Sequence, residues 1–305
     1  MNKAVRVLIF AAALLLAGGR VMAAAPLVDA AWVKAHFADH DVVVLDARSN
    51  RKAFARGHIP GARFTHYGSD GWRVTRDGVP GMLPDAAELE RLIGGLGIGN
   101  DSHVVIVANG TNATEMGIAT RIYWTFKVAG HDRVSILDGG MRAYQAGPAN
   151  PVSTAAARPE PRPFKVSFRP ELLATAGDVK KALGDGGTTL VDHRPPQQFS
   201  GESKSPVAAR AGTIPGAANA PAIAMTEPGG GVFKSADALK ALYREAGART
   251  DGDTINFCNT GHWASVGWFV SHELLGNEKA RMYDGSVADW SRDGANPMVR
   301  RAKGN

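Results

Sequence analysis

Short runs that are apolar at nearly every position, at residues 42–45, 104–107 and 134–137, alternate along the chain with stretches of helical periodicity at 30–37, 86–93 and 113–129. A strand with no polar face has no side to offer water, so it must be covered above and below. Strands of that kind separated by helices build a parallel sheet with helices on both faces. The second half resumes the pattern with similar runs at 189–192 and 254–257. The predicted fold class is therefore α/β, with parallel sheets flanked by helices. In such sheets the ligand site lies beyond the carboxyl ends of the strands.

The halves match in detail. Asp46-Ala47-Arg48, Phe54 and Ile59-Pro60-Gly61-Ala62 recur as Asp192-His193-Arg194, Phe199 and Ile214-Pro215-Gly216-Ala217. Further on, Asp138-Gly139 and Tyr144 recur as Asp284-Gly285 and Trp290, at the same offset of 146 residues that separates the two Asp-x-Arg elements. The chain reads as one domain written twice. The first copy is expected over 26–147 and the second over 166–305. Between them, 148–165 carries Pro148, Pro151, Pro159, Pro161 and Pro163, the composition of an extended, stiff linker.

Lys3 and Arg6 precede an apolar stretch from 7 to 17, and small residues follow at 23–25. This pattern predicts a cleaved secretory signal over 1–25 and a periplasmic or secreted mature protein. The formal net charge of +6 loses Lys3, Arg6 and Arg20 with that segment. The weakly basic remainder gives no reason to expect binding to nucleic acid or to a membrane. No clustered Cys/His spacing suggests a metal, and Gly94-Gly95-Leu96-Gly97 and Gly229-Gly230-Gly231 lack the strand-to-helix setting of a nucleotide loop, so no cofactor is expected.

Against that background one residue stands apart. Cys258 is the only cysteine, and it sits where 254–257 breaks into Cys258-Asn259-Thr260-Gly261-His262-Trp263 ahead of a long helical pattern. The first helical turn leaves amide N–H groups without intrahelical partners, and together with the helix dipole they favour a thiolate over a thiol. In an oxidising compartment an unpaired thiol is a liability unless it is buried or used. Features in both copies are explained by the shared fold, whereas Cys258 is not repeated. Aligned by the preceding strand its counterpart is Ala108, and aligned by the following helix it is Asn112. The first copy is thus expected to be catalytically silent and to wall one side of the site.

These residues, in order and twice, resemble the tandem rhodanese-type sulfurtransferases over about 27–295. The resemblance implies two rhodanese-like domains and a Cys258 thiolate that takes a sulfane sulfur from a small anionic donor, thiosulfate or 3-mercaptopyruvate. It would hold that sulfur as a persulfide and pass it to cyanide or a thiol acceptor. The loop Asn259, Thr260, Gly261, His262 and Trp263 would stabilise the persulfide as an anion nest, with Gly261 allowing the tight curl. Arg194, Arg210 and His262 are the candidate donor-binding cations, Asp192 supporting the first, although the presence of Asp-x-Arg in both copies favours a structural pairing of Asp46 with Arg48 and of Asp192 with Arg194; Arg210 lies in an insertion of about ten residues that only the second copy has. Two departures stand out. Thiosulfate-preferring relatives carry basic residues where this chain has Asn259 and Thr260, and an arginine usual on the rim is Gln198 here.

A phosphatase loop resembling this one would close with an arginine, but Ala264 and Ser265 follow Trp263, leaving no guanidinium for a phosphate. A cysteine peptidase would need a histidine base oriented by a third group; no histidine sits in such a context, although His262 shares the loop with Cys258 and is within reach of contacting it. The remaining alternative is a periplasmic persulfide carrier that binds sulfur without turnover. Oligomeric state and pathway partners are not legible.

Overall fold

The computed structural model describes residues 24–301. The expected signal segment falls outside them apart from its last two positions.

Two five-stranded sheets form, and every strand pairing in them is parallel. Across the first sheet the strands run Leu27–Val28, Val134–Leu137, His103–Val107, Val42–Asp46 and Arg63–Phe64. Across the second they run Leu173–Ala174, Ala280–Tyr283, Thr254–Phe257, Thr189–Asp192 and Ala218–Asn219. The spatial order is the same in both, so the duplication extends to topology. His103–Val107 is buried at every position, as is Thr254–Phe257, the consequence of helices on both faces. An antiparallel hairpin, Val74–Arg76 with Val79–Met82, is found in the first copy.

Helix Ala113–Val128 is capped by the Asn112 side chain and buried along its whole length except at Thr114 and Glu115. Its apolar residues are spread around the axis rather than gathered in one stripe, so it is enclosed on all sides, Arg121 and Lys127 included. It packs against the helix His262–Trp268 of the second copy and joins the two halves into one core. Two polar pairs cross that seam: Thr120 and Ser265 hydroxyls lie 2.9 Å apart, and Tyr123 donates to Glu273 at 2.9 Å. After Trp268 the second helix continues as π-helical turns over Phe269–Leu274, a variant common near functional sites. The linker crosses the first copy, where Ser153 bridges to His58 and the Arg162 amide donates to Gly94.

The two Asp-x-Arg elements have one geometry. Arg48 forks onto Asp46 and reaches Gly57 O at 2.9 Å; Arg194 forks onto Asp192 and reaches Gly212 O at 2.8 Å. Asp192 also accepts from the Thr213 hydroxyl at 2.7 Å. Arg194 is therefore not a donor-binding residue. It is fully buried and ties the end of its strand to the turn at Gly212, as its twin does at Gly57 in the copy without a cysteine.

Candidate active site

Strand Thr254–Phe257 delivers Cys258 at its carboxyl end, and the chain then curls through Asn259, Thr260 and Gly261 into the helix beginning at His262. Gly261 holds φ +76° at the helix N-cap. A Cβ there would lie 2.1 Å from Nη1 of Arg121 and 3.0 Å from Oδ1 of Asp284, so both backbone conformation and space require glycine. The Cys258 amide donates to the Ser286 hydroxyl at 3.1 Å, and the carbonyls of Cys258 and Asn259 accept from Val287 and Ala288. Ser286 is itself held at φ +52°, where its counterpart in the first copy is Gly140 at +59°. That strain aims a hydroxyl at the amide of the cysteine.

The consequence is an uncommitted row of donors. Among the described residues, the amides of Asn259, Thr260, Gly261, His262, Trp263 and Ala264 have no hydrogen-bond partner. They head a helix, where dipole and N–H groups together favour an anion. In the first copy, Met141 and Arg142 donate to Ala108 and Asn109 just as Val287 and Ala288 do to Cys258 and Asn259. This settles the alignment: Ala108 stands where the second copy has its cysteine. The first copy's helix also satisfies one of its orphan amides internally, through the Asn112 cap on Glu115.

Cys258 lies on the wall of a cavity of about 380 Å³ between the two copies. The first copy contributes Tyr67, Arg73, Thr114, Glu115 and Ile118; the second contributes Ser205, Val207, Asn259, Thr260, His262 and Trp263. Only 1 % of Cys258 is exposed, so the cavity is its route to solvent. Thr114 and Glu115 escape burial on their helix because they face this space.

His262 is fixed at both nitrogens. Nε2 is 3.0 Å from the Thr114 carbonyl, which can only accept, so Nε2 carries the proton and Nδ1 accepts from the Tyr67 hydroxyl at 3.1 Å. Burial, reinforced by Arg73, pushes its pKa down to about 4, and the ring is neutral at physiological pH. Burial also raises the pKa of Tyr67, which keeps its proton. Gly117 leaves room for the imidazole, since a Cβ there would meet Nε2 at 2.6 Å. Trp263 closes another wall, its indole N–H donating to Thr114 Oγ1 at 3.2 Å.

Asn259 donates to Gln198 Oε1 at 2.8 Å. Two of the three positions at which the chain departs from its resemblance, Asn259 and Gln198, are thus one hydrogen-bonded pair. Behind the loop, Arg121 of the first copy meets Asp284 of the second at 2.6 Å in a fully desolvated ion pair, and Asp284 also accepts from the Leu83 amide.

Of the residues expected from sequence, the structure brings Cys258, Asn259, Thr260, His262 and Trp263 to one cavity, with Gly261 shaping the loop behind them. Asp192 and Arg194 are scaffold. Arg210 is also removed from the site: its guanidinium donates to the carbonyls of Ser291, Asp293 and Asn296, beside a separate depression with Lys204 and Arg300. The insertion that carries it reaches the cavity through Ser205 and Val207 instead. Sequence reasoning missed Tyr67, Arg73, Arg121 and Ser286. No group of three or more His, Cys, Asp or Glu able to hold a metal exists among the described residues, and no described helix is long and apolar enough to cross a membrane.

With this geometry in place, comparison with known proteins is decisive. The rhodanese-like domain model matches twice, at residues 29–147 and 175–293. The chain belongs to the rhodanese family. A Haloferax volcanii protein named as a thiosulfate sulfurtransferase is 34% identical over 275 residues, spanning 87% of this chain and 92% of that one. The sulfur carrier protein TtuD of Thermus thermophilus is likewise 34% identical over 275 residues, covering 87% and 93%. Among solved structures, the Escherichia coli 3-mercaptopyruvate sulfurtransferase SseA superposes with a TM-score of 0.75 at 27% identity, covering 86% of this chain and 99% of that one. The anaerobic ergothioneine biosynthesis enzyme of Chlorobium limicola shares the fold, with a TM-score of 0.76 at 23% identity over 91% of this chain and 71% of that one. This rhodanese is a sulfurtransferase.

Proposed function

We propose that the Cys258 thiolate attacks the outer sulfur of thiosulfate, or the sulfur of 3-mercaptopyruvate, and holds it as a persulfide before handing it to cyanide or a thiol. The observation that carries this reading is the single cysteine on an interdomain cavity wall, at the head of six consecutive amides without partners. Such a row stabilises negative charge on a sulfur one bond beyond the thiolate, where a persulfide carries it. The one lone-pair nitrogen of His262 already accepts from Tyr67, and Tyr67 keeps its proton, so neither serves as a base for this step, and a thiolate nucleophile requires none. We further propose that the chain acts outside the cytoplasm, on the strength of its amino-terminal pattern.

A second reading is supported by the relative named as a sulfur carrier protein. It shares the persulfide and lacks turnover. Mass spectrometry of the protein after exposure to thiosulfate should show one added sulfur, absent in Cys258→Ser. Continuous thiocyanate release from thiosulfate and cyanide distinguishes an enzyme from a carrier, which stops after a single equivalent. Sulfur uptake by the Cys258→Ser variant would overturn both readings.

A further inference from the structure

With Arg194 and Arg210 both committed elsewhere, the donor needs another cation. We infer that Arg73, supplied by the copy without a cysteine, recognises the oxyanion end of the sulfur donor, so that donor recognition and the nucleophile lie on opposite sides of the domain interface. This rests on the sulfurtransferase reading above.

Four observations converge on Arg73. It is the one permanent cation among the residues lining the cavity, where His262 is neutral and Glu115 is the one acid. Its bonds run to carbonyls: Nη2 donates to Thr260 O at 2.8 Å and Nε to Gly81 O at 3.4 Å, while the guanidinium lies 5.5 Å from the Tyr67 ring centre. No carboxylate lies within ion-pair distance of it among the described residues, in contrast to Arg121, which Asp284 neutralises. The contact with Thr260 anchors it two residues from Cys258. Finally, the second copy's own contribution beside the loop is neutral: Gln198 Oε1 accepts from the Asn259 side chain at 2.8 Å. The anion-binding charge is therefore absent from the second copy's rim and present on the first copy's wall.

The step this serves is balanced as follows. The Cys258 thiolate forms a bond to the outer sulfur of thiosulfate. The bond between the two donor sulfurs breaks, and its electron pair leaves with sulfite. The persulfide keeps one negative charge and sulfite two, as many as entered. Arg73 holds the three oxygens of the sulfonate end as charge accumulates there, while the loop amides face the transferred sulfur. With 3-mercaptopyruvate the carboxylate takes the place of the sulfonate, the carbon–sulfur bond breaks, and its electron pair leaves as the enolate of pyruvate, which takes up the proton released by the donor thiol.

Because turnover alternates between two half-reactions, donor and acceptor steps are measured separately. Arg73→Gln removes the charge while keeping a group able to donate to Thr260. It should lower kcat/KM for thiosulfate roughly 10- to 100-fold, the loss expected for charge-assisted hydrogen bonds to an anion. The same variant, loaded with sulfur, should pass it to the neutral thiol dithiothreitol at the wild-type rate. Arg73→Lys should recover part of the donor step. Equal losses in both half-reactions would mean that Arg73 only props the loop, and an unchanged donor step would remove it from recognition; either overturns the inference. Failure of the wild-type protein to take up sulfur at all would instead overturn the reading on which the inference rests.

Discussion

Gly261→Ala tests how the Cys258 loop is held. Two costs add at this position. An L-residue at φ +76° pays about 1–2 kcal/mol for the left-handed conformation. The new methyl would also sit 2.1 Å from Arg121 Nη1, and the guanidinium has no free space to retreat into because Arg121 is fully buried. Moving it breaks the Arg121–Asp284 pair, whose disruption in a dry interior costs about 3–5 kcal/mol. The sum, about 4–7 kcal/mol, is a large fraction of the 5–15 kcal/mol by which domains of this kind are stable.

The assay is urea unfolding at equilibrium, read by intrinsic tryptophan fluorescence, alongside sulfur uptake by mass. The midpoint should fall steeply with little change in slope, since the native fold buries the same surface. Arg121→Met is itself expected to destabilise, by leaving Asp284 buried with only the Leu83 amide. In that background the added cost of Gly261→Ala should shrink to the backbone component of about 1–2 kcal/mol, because the guanidinium is gone. Strict additivity of the two substitutions would refute the steric argument. A single-variant loss below about 1 kcal/mol would refute both parts of it.

Arg194→Met should cost about 3–5 kcal/mol by leaving Asp192 buried without its cation, checked by the same unfolding curves. Arg210→Ala should leave the dependence of initial rate on thiosulfate concentration unchanged, because its guanidinium serves carbonyls away from the cavity. The neutral His262 sets a pH dependence: its pKa is about 4 in the fold against 6.5 when free, so between those values the unfolded chain binds the extra proton. Stability from this residue is therefore full above pH 6.5 and is lost as pH falls towards 4, by at most about 3 kcal/mol. His262→Gln should flatten that part of the stability profile relative to wild type, and an unchanged profile would show that the ring is not held neutral.

Much of this was written locally and so was readable. Parallel sheets follow from strands without a polar face, the repeat from motifs at a fixed offset, and Cys258 from its place at a strand end before a helix. The arginines were misread because a sequence displays a charge without its partner. The recurrence of Asp-x-Arg in both copies already spoke for a structural Arg194, whereas nothing in the order of residues says that Arg210 finds three carbonyls some eighty residues on. Tyr67 and Arg73 were missed because they meet Cys258 only through the packing of one copy on the other. A signal for Arg73 did exist. The comparison that singled out Cys258 as unmatched also leaves Arg73 unmatched, since the second copy has no basic residue between 217 and 233.

The Gln198–Asn259 pair explains why these differences come together rather than singly. A basic residue at 259 would point the same charge at the cavity that Arg73 already supplies from across the interface, and would leave the Gln198 amide without its 2.8 Å partner. An arginine at 198 alone would take away the acceptor that the Asn259 amide nitrogen now uses. With a neutral pair on the second copy and a cation on the first, the cavity keeps one positive group near the cysteine without like-charge repulsion. Recognition of an anion then depends on the two copies staying in register, which the buried Arg121–Asp284 contact behind the loop enforces. The copy without a nucleophile is needed by this logic: its arginines set both the charge of the site and the position of the loop facing it.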